Sequence, residues 1–178
     1  GRRRSQVGQD RDAEWQSKRG DEKTKPMQAQ RHEVAAPKVP AKLPAGKARF
    51  IEPMKPKLVE TPPAQGRWIY ELKFDGFRAL AIKSDGEVQL LSRNENLLTK
   101  KFAEIAEAIA QLPGKDWVID GEVVALDEQG RSSFQLLQAR EMEAQKEPLY
   151  YYVFDLLQLD GKDLLGLPLT TRKEALRQ

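Results

Sequence analysis

A lysine stands between two carboxylates in the run Glu71-Leu72-Lys73-Phe74-Asp75-Gly76-Phe77-Arg78. If the part before the glycine is extended, side chains alternate between faces. Glu71, Lys73 and Asp75 then project one way, and Leu72 and Phe74 the other. An amine is thereby presented on a polar face with apolar side chains behind it, and Gly76 permits a tight turn directly after. A lysine attacks an electrophile only once it has shed its proton, and neighbouring carboxylates favour the charged form. A cation brought to it, such as a divalent metal ion, favours proton loss. Without such surroundings Lys73 is an ordinary surface lysine in a salt bridge.

Three other places carry side chains suited to the same kind of site. Alternation along Trp117–Leu126 puts Asp120 and Glu122 on one face with Gly121 on the other. Two such carboxylates suit a metal ion or a pair of ribose hydroxyls. The flanking valines point to burial, where an unpaired carboxylate is costly. Ser92-Arg93-Asn94 closes a strand with an always-charged donor that suits phosphate. In Leu149–Leu157, Tyr150, Tyr152 and Phe154 alternate with Tyr151, Val153 and Asp155, and an aromatic there can stack on a base or fill a core.

The elements that position these residues follow from the hydrophobic pattern. Prolines 53, 56, 62 and 63 make residues 51–64 an irregular extended approach. Arg67–Lys73, Gly76–Lys83 and Glu87–Ser92 read as strands, with Ser84-Asp85-Gly86 as a hairpin turn, so an antiparallel meander is expected. Phe102, Ile105, Ile109 and Leu112 recur at helical spacing, giving a helix capped by Thr99 and stopped by Pro113-Gly114. Trp117–Leu126 is a strand. Ser132 or Ser133 can cap a second helix running to about Met142. Leu149–Leu157 is a further strand, and Thr170 or Thr171 opens a last helix. The fold class is α+β, with mainly antiparallel sheets and flanking helices.

Composition sets the outer limits. The chain has 178 residues and a formal net charge of +3, unevenly spread. Residues 1–49 hold 13 basic against 6 acidic side chains, and the remainder 17 against 21. A basic, Pro/Ala-rich arm or interdomain linker over 1–48 therefore precedes a slightly acidic body over 49–178. Such asymmetry fits either contact with a polyanion or a solvated linker. There is no cysteine, and the single histidine, His32, lies in the arm. Disulfides, thiolate metal sites, a cysteine nucleophile and a histidine base in the body are excluded. No apolar run is long enough to span a membrane and no signal-peptide core begins the chain, so a soluble intracellular protein is expected.

At this point the motifs become recognisable. ELKFDGFR resembles the K-x-D-G-x-R signature, motif I, of the covalent nucleotidyltransferases, which comprise ATP-dependent DNA ligases, RNA ligases and capping enzymes. SRNENLLTKKF is similar to their motif Ia, VIDGEVVAL to motif III and YYVFDLLQLDG to motif IIIa, in the family's order. GRWIYELKFDGFRA, GRSSFQLLQ and LPLTTRKEAL are similar to bacterial end-joining ligases of the LigD type. The resemblance runs from about Phe50 to the end and implies a nucleotidyltransferase domain, ATP-grasp-like in its sheets. It implies that Lys73 attacks the α-phosphorus of ATP to form lysyl-AMP, with Mg2+ or Mn2+ as cofactor. Glu71 would read the adenine, Arg78 contact ribose or phosphate, and Arg93 bind phosphate. Glu122 would hold the ribose hydroxyl or the metal, and Phe154 stack on the base. Asp75 would organise pocket and metal, with Asp120 in support. The implied partners are nicked or broken duplex DNA, a Ku-type end-binding protein and the other repair domains of a longer parent, in the bacterial cytoplasm at the nucleoid.

Nothing in the chain matches motif IV, motif V or the C-terminal OB-fold of that family. The resemblance thus implies a domain incomplete at its C-terminus that seals no nick by itself. Two other readings stand beside the DNA ligase: an RNA ligase-like acceptor, and a catalytically silent remnant that binds nucleic acid or a partner.

Overall fold

Apolar and β-branched side chains alternate most strictly between Phe77 and Leu159, and there the chain folds into one antiparallel sheet. Residues 39–40, 42–143 and 148–177 are described by a computed structural model, and all lie in one unit, Val34–Gln178. The elements run β1 (Phe77–Ser84), β2 (Glu87–Ser92), α1 (Ala103–Ala110), β3 (Trp117–Ala125), α2 (Phe134–Glu143), β4 (Leu149–Leu159), β5 (Lys162–Asp163) and α3 (Leu169–Leu176). The strand order is β2-β1-β3-β4-β5, every neighbour antiparallel. This is the α+β, antiparallel class expected from the pattern.

The β1–β2 hairpin turns on Asp85 and Gly86, both at positive φ (50° and 86°). That pair matches the two-residue turn whose twist suits antiparallel strands. Asp160-Gly161 repeats the device between β4 and β5, at φ 45° and 75°.

Alternation divides the sheet into two buried faces. One carries Ala79, Ala81, Leu90, Ile119, Val123 and Leu156 into the larger core, closed by Phe102, Ile105, Ala106 and Ile109 of α1 and by Ala175 of α3. The other gathers Leu80, Ile82, Leu91, Val118 and Leu157, covered by Ala48, Phe50 and Ile51. The chain ahead of β1 reaches this second face after joining the sheet edge. The Gly46 N–H donates to the Gly161 carbonyl at 2.9 Å, and the Asp163 N–H to Pro44 at 2.8 Å. Val39 and Leu43 also pack against the larger core. Among the described residues the folded body thus extends back to 39, ahead of the 48/49 boundary drawn from composition, because backbone bonds and a few apolar contacts suffice where composition is poor. Residues 1–38 lie outside the described ones, as does the rest of the arm's proposed behaviour.

Four local expectations are corrected. Arg67–Lys73 is irregular: among the described residues no strand pairs with it, and an extended run without a ladder is no strand. Thr99 caps nothing; its hydroxyl accepts the Leu90 N–H at 2.9 Å, and α1 begins at Ala103, with Phe102 at the N-cap. The serines before α2 do not supply its cap bond; the carboxylate of Asp75 does, accepting the Phe134 N–H at 3.1 Å. Pro168, rather than Thr170 or Thr171, occupies the N-cap of α3, which begins at Leu169. Tertiary partners took over the hydroxyls of Thr99 and Ser132.

Among the described residues no helix is long and apolar enough to cross a membrane.

Candidate functional site

On the sheet face that Arg78, Asp120 and Glu122 share, a cleft of about 1040 Å³ opens between the sheet, α3 and the approach to β1. It lies at the upper end of the roughly 300–1,000 Å³ of small-molecule sites. Glu71, Lys73, Arg78, Arg93, Glu122 and Phe154 all line it, and so does Asp120. Six positions spread over more than eighty residues therefore meet at one cavity. Asp75 is the exception among the residues singled out in the sequence.

The floor is formed by two arginine–carboxylate pairs set side by side. Arg78 on β1 forks onto Asp120 of β3, Nε to Oδ1 at 3.1 Å and Nη2 to Oδ2 at 2.6 Å. Asp120 stands opposite Asp155 in the β3–β4 register. Asp155 in turn receives Arg172 of α3, Nε at 2.8 Å and Nη2 at 2.9 Å. Two arginine–carboxylate pairs thus span two strand pairs and a helix, their carboxylates facing each other across β3 and β4, and both forks are bidentate, the geometry that makes such pairs strong. The Asp120 bond holds the Arg78 guanidinium above its ordinary pKa, and the Asp155 bond does the same for Arg172. Burial pushes the Asp120 carboxyl up, against the pull of Arg78. With both oxygens taken by Arg78, Asp120 is a support for that arginine; the pairing of Asp120 with Glu122 as joint ligands is not what forms.

Phe154 owes its place to a bulge. Asp120 pairs with Asp155 and Gly121 with Val153, so Phe154 faces no residue of β3. A bulge re-aims side chains. Here it breaks the expected alternation and lets Phe154 and Asp155 both line the cleft. The Arg78 guanidinium lies 5.5 Å from the Phe154 ring centroid, and its Nη1 donates to the Met54 carbonyl at 2.7 Å. Gly121 makes room on the opposite face: a Cβ there would lie 2.6 Å from the Tyr151 ring. That ring's hydroxyl donates to the Ala79 carbonyl at 2.8 Å.

Lys73 itself is exposed, and its neighbours fix the segment that carries it. Phe74 stacks on Tyr152 of β4, centroids 4.4 Å apart and 13° from parallel. The Asp75 N–H donates to the Ser132 hydroxyl at 2.9 Å while its carboxylate caps α2. Gly76 serves by being small rather than by its dihedrals: a Cβ would overlap the Val123 carbonyl and sit 2.8 Å from Val124 Cγ1. Glu71 is ion-paired to Lys173 of α3. At the far rim, the Ser92 hydroxyl accepts the N–H groups of Asn94 (3.2 Å) and Asn96 (3.1 Å), forming the loop that presents Arg93.

Glu122 is the cleft carboxylate held in no ion pair among the described residues. Burial raises its pKa, opposed by Arg78 and by a hydrogen bond from the Gly76 N–H. Among the described residues no group of three or more His, Cys, Asp or Glu side chains could hold a metal ion. One free carboxylate beside several cations fits a divalent ion that is carried in on phosphates, since Mg2+ commonly takes one or two carboxylates and leaves the rest to substrate oxygens.

Sequence reasoning missed Asp155, Lys173 and the Met54 carbonyl. The basic Arg172-Lys173 pair in the first turns of a helix was a signal for the first two; the carbonyl had none.

Comparison with known proteins followed the same residues. The family described as ATP dependent DNA ligase domain matches residues 26–178. Over 127 residues the chain is 41% identical to the multifunctional non-homologous end joining protein LigD of Pseudomonas aeruginosa, covering 71% of this chain and 15% of that protein. It is 37% identical over 135 residues to DNA ligase C of Mycobacterium tuberculosis, with 71% and 37% covered. A solved mycobacterial DNA ligase D complexed with ATP and MES superposes with a TM-score of 0.52 at 33% identity, covering 60% of this chain and 35% of that one. The chain thus spans less than half the length of each of these relatives.

Proposed function

We propose that this chain, which belongs to the ATP-dependent DNA ligase domain family, carries the adenylylation step of a DNA ligase. The observation that supports this best is the convergence of Glu71, Lys73, Arg78, Arg93, Glu122 and Phe154 on one cleft. Phe154 offers a face for the adenine, and Glu71 accepts from its amino group. Glu122 is the side chain for a ribose hydroxyl or for the divalent ion, Mg2+ or Mn2+, that accompanies ATP. That ion, when bound, draws charge from the phosphoryl oxygens.

Lys73 is the nucleophile. Its amine forms a bond to the α-phosphorus, the bond to the β-phosphate oxygen breaks, and pyrophosphate leaves. Arg78 and Arg93 stand where guanidinium groups neutralise developing negative charge. Arg78 is prefixed by Asp120 and Met54, so little rearrangement is needed when charge appears. Asp75 acts one step back, anchoring the Lys73 segment to α2. The AMP then passes to a DNA 5′-phosphate, and a 3′-hydroxyl displaces it to seal the strand. Sealing, a broken duplex as substrate, a Ku-type end-binding partner and work at the bacterial nucleoid are proposed for the ligase as a whole. The end-joining name of the Pseudomonas aeruginosa relative supports them.

The test is intact mass after incubation with ATP and Mg2+ or Mn2+. One AMP adduct is expected on the wild-type chain and none on Lys73→Ala. No adduct on the wild type at any ATP concentration would sink the reading. A trans assay on nicked DNA and nicked RNA decides the acceptor.

A further inference from the structure

The adenine slot as proposed is made of Phe154 on β4 and Glu71 on the approach to β1, yet neither element fixes its own residue. Phe154 sits in a bulge, where its carbonyl lies outside the regular β3–β4 pairing. Glu71 belongs to a run with no ladder at all. One side chain reaches both. Lys173 donates to the Phe154 carbonyl at 2.7 Å and is ion-paired to Glu71. The next residue back, Arg172, holds the other bulge residue, Asp155, through two bonds and donates to the Leu167 carbonyl at 2.7 Å.

We infer that α3 is a clamp for base recognition, with Lys173 as a positioning residue that sets Phe154 and Glu71 at a fixed separation. This rests on the proposed nucleotide reading. An ammonium has three donors and no acceptor, so it can hold a carbonyl and a carboxylate at once. The Glu71 carboxylate is an acceptor only. It suits the amino group at position 6 of adenine and opposes the oxygen that guanine has there. Its discrimination between the two bases depends on being held in place, because a carboxylate free to swing away neither binds one nor repels the other. The slot is therefore assembled only when α3 is docked, and docking is secured by the buried Arg172–Asp155 pair, whose side chains are 8% and 4% exposed.

The experiment uses the whole chain and compares wild type, Lys173→Met, Lys173→Arg and the exposed control Glu174→Gln. Methionine keeps the aliphatic stem while removing the charge. ATP and GTP affinities are measured by equilibrium dialysis with Mg2+, and amide exchange of residues 152–155 by mass spectrometry. Lys173→Met is expected to weaken ATP about tenfold, GTP much less, and to speed exchange at the bulge, a tenfold loss being about 1.4 kcal/mol. Lys173→Arg should recover part of the ATP preference, and Glu174→Gln should match wild type. If wild type binds ATP and Lys173→Met keeps both its affinity and its ATP/GTP ratio, the clamp is overturned. If wild type binds no nucleotide, the nucleotide reading falls first; unchanged exchange in Lys173→Met would then overturn the clamp as well.

Discussion

The sheet and the approach that precedes it are built on opposite terms. Within strands β1 and β3 the apolar side chains are covered; Leu80, Val118, Val123 and Val124 are fully buried, as is Leu90 of β2. Between Met54 and Leu72 the apolar side chains stand in solvent, with Leu58 96%, Tyr70 79% and Leu72 80% exposed. The sheet carries Arg78, Asp120, Glu122 and Phe154, four of the residues that line the cleft. The approach carries Lys73, the proposed nucleophile, and is held to the sheet and its flanking helices by discrete fasteners: Met54 to Arg78, Glu71 to Lys173, Phe74 to Tyr152, and Asp75 to α2. Few buried contacts and few backbone bonds mean a low local opening free energy. On the proposed reading, the nucleophile is thereby placed on the part that moves most cheaply.

The largest effects should separate the two regions on stability. Leu80→Ala empties a fully buried site and is expected to lower the unfolding free energy by about 3 kcal/mol. Leu72→Ala should change it by less than about 0.5 kcal/mol. Urea denaturation of both variants decides, and equal losses would mean that the approach is packed as tightly as the sheet. A smaller effect belongs to the fastener. Asp75→Ala removes the α2 cap and should cost about 1 kcal/mol. Its adenylylation should suffer more than its stability, because the same side chain anchors the Lys73 segment.

The smallest is a pH dependence. Burial raises the folded-state pKa of Glu122, so over the window between its unfolded and folded values the native chain binds the extra proton. Its contribution is fully present below the unfolded value and is lost as pH rises through the folded one. Glu122→Gln removes this loss, so the variant's stability relative to wild type should rise with pH across that window. A flat difference would show that Gly76 and Arg78 match burial at this carboxyl, and one that falls with pH that they outweigh it.

Legibility followed the range of the forces involved. β2 appears over the residues expected, and β1 and β3 within a residue or so at each end, because alternation and the Asp85-Gly86 turn are local. Arg67–Lys73 has the composition of a strand but no partner, and propensity cannot supply one. The Phe154 bulge is invisible in a run of Tyr-Tyr-Tyr-Val-Phe-Asp, where strict alternation is the natural reading. Thr99 and Ser132 look like caps, yet one hydroxyl accepts from strand β2 and the other from the backbone of Asp75, the residue whose carboxylate caps α2. At the cleft, six residues drawn from the motifs came together, whereas Asp155 and Lys173 became visible only once α3 was docked.

By itself the sequence determined the residue types at Glu71, Lys73 and Asp75, the family of motifs in which they stand, and the alternation that builds the sheet. These depend on residue type and short spacing alone. The tertiary structure decided which carboxylates stand in ion pairs and which does not. Asp120 is paired with Arg78, Asp155 with Arg172 and Glu71 with Lys173, while Glu122 stands in no ion pair among the described residues and accepts the Gly76 N–H. Charge pairing across 17 to 102 residues of chain is a matter of distance in space, and a linear pattern carries no such distance.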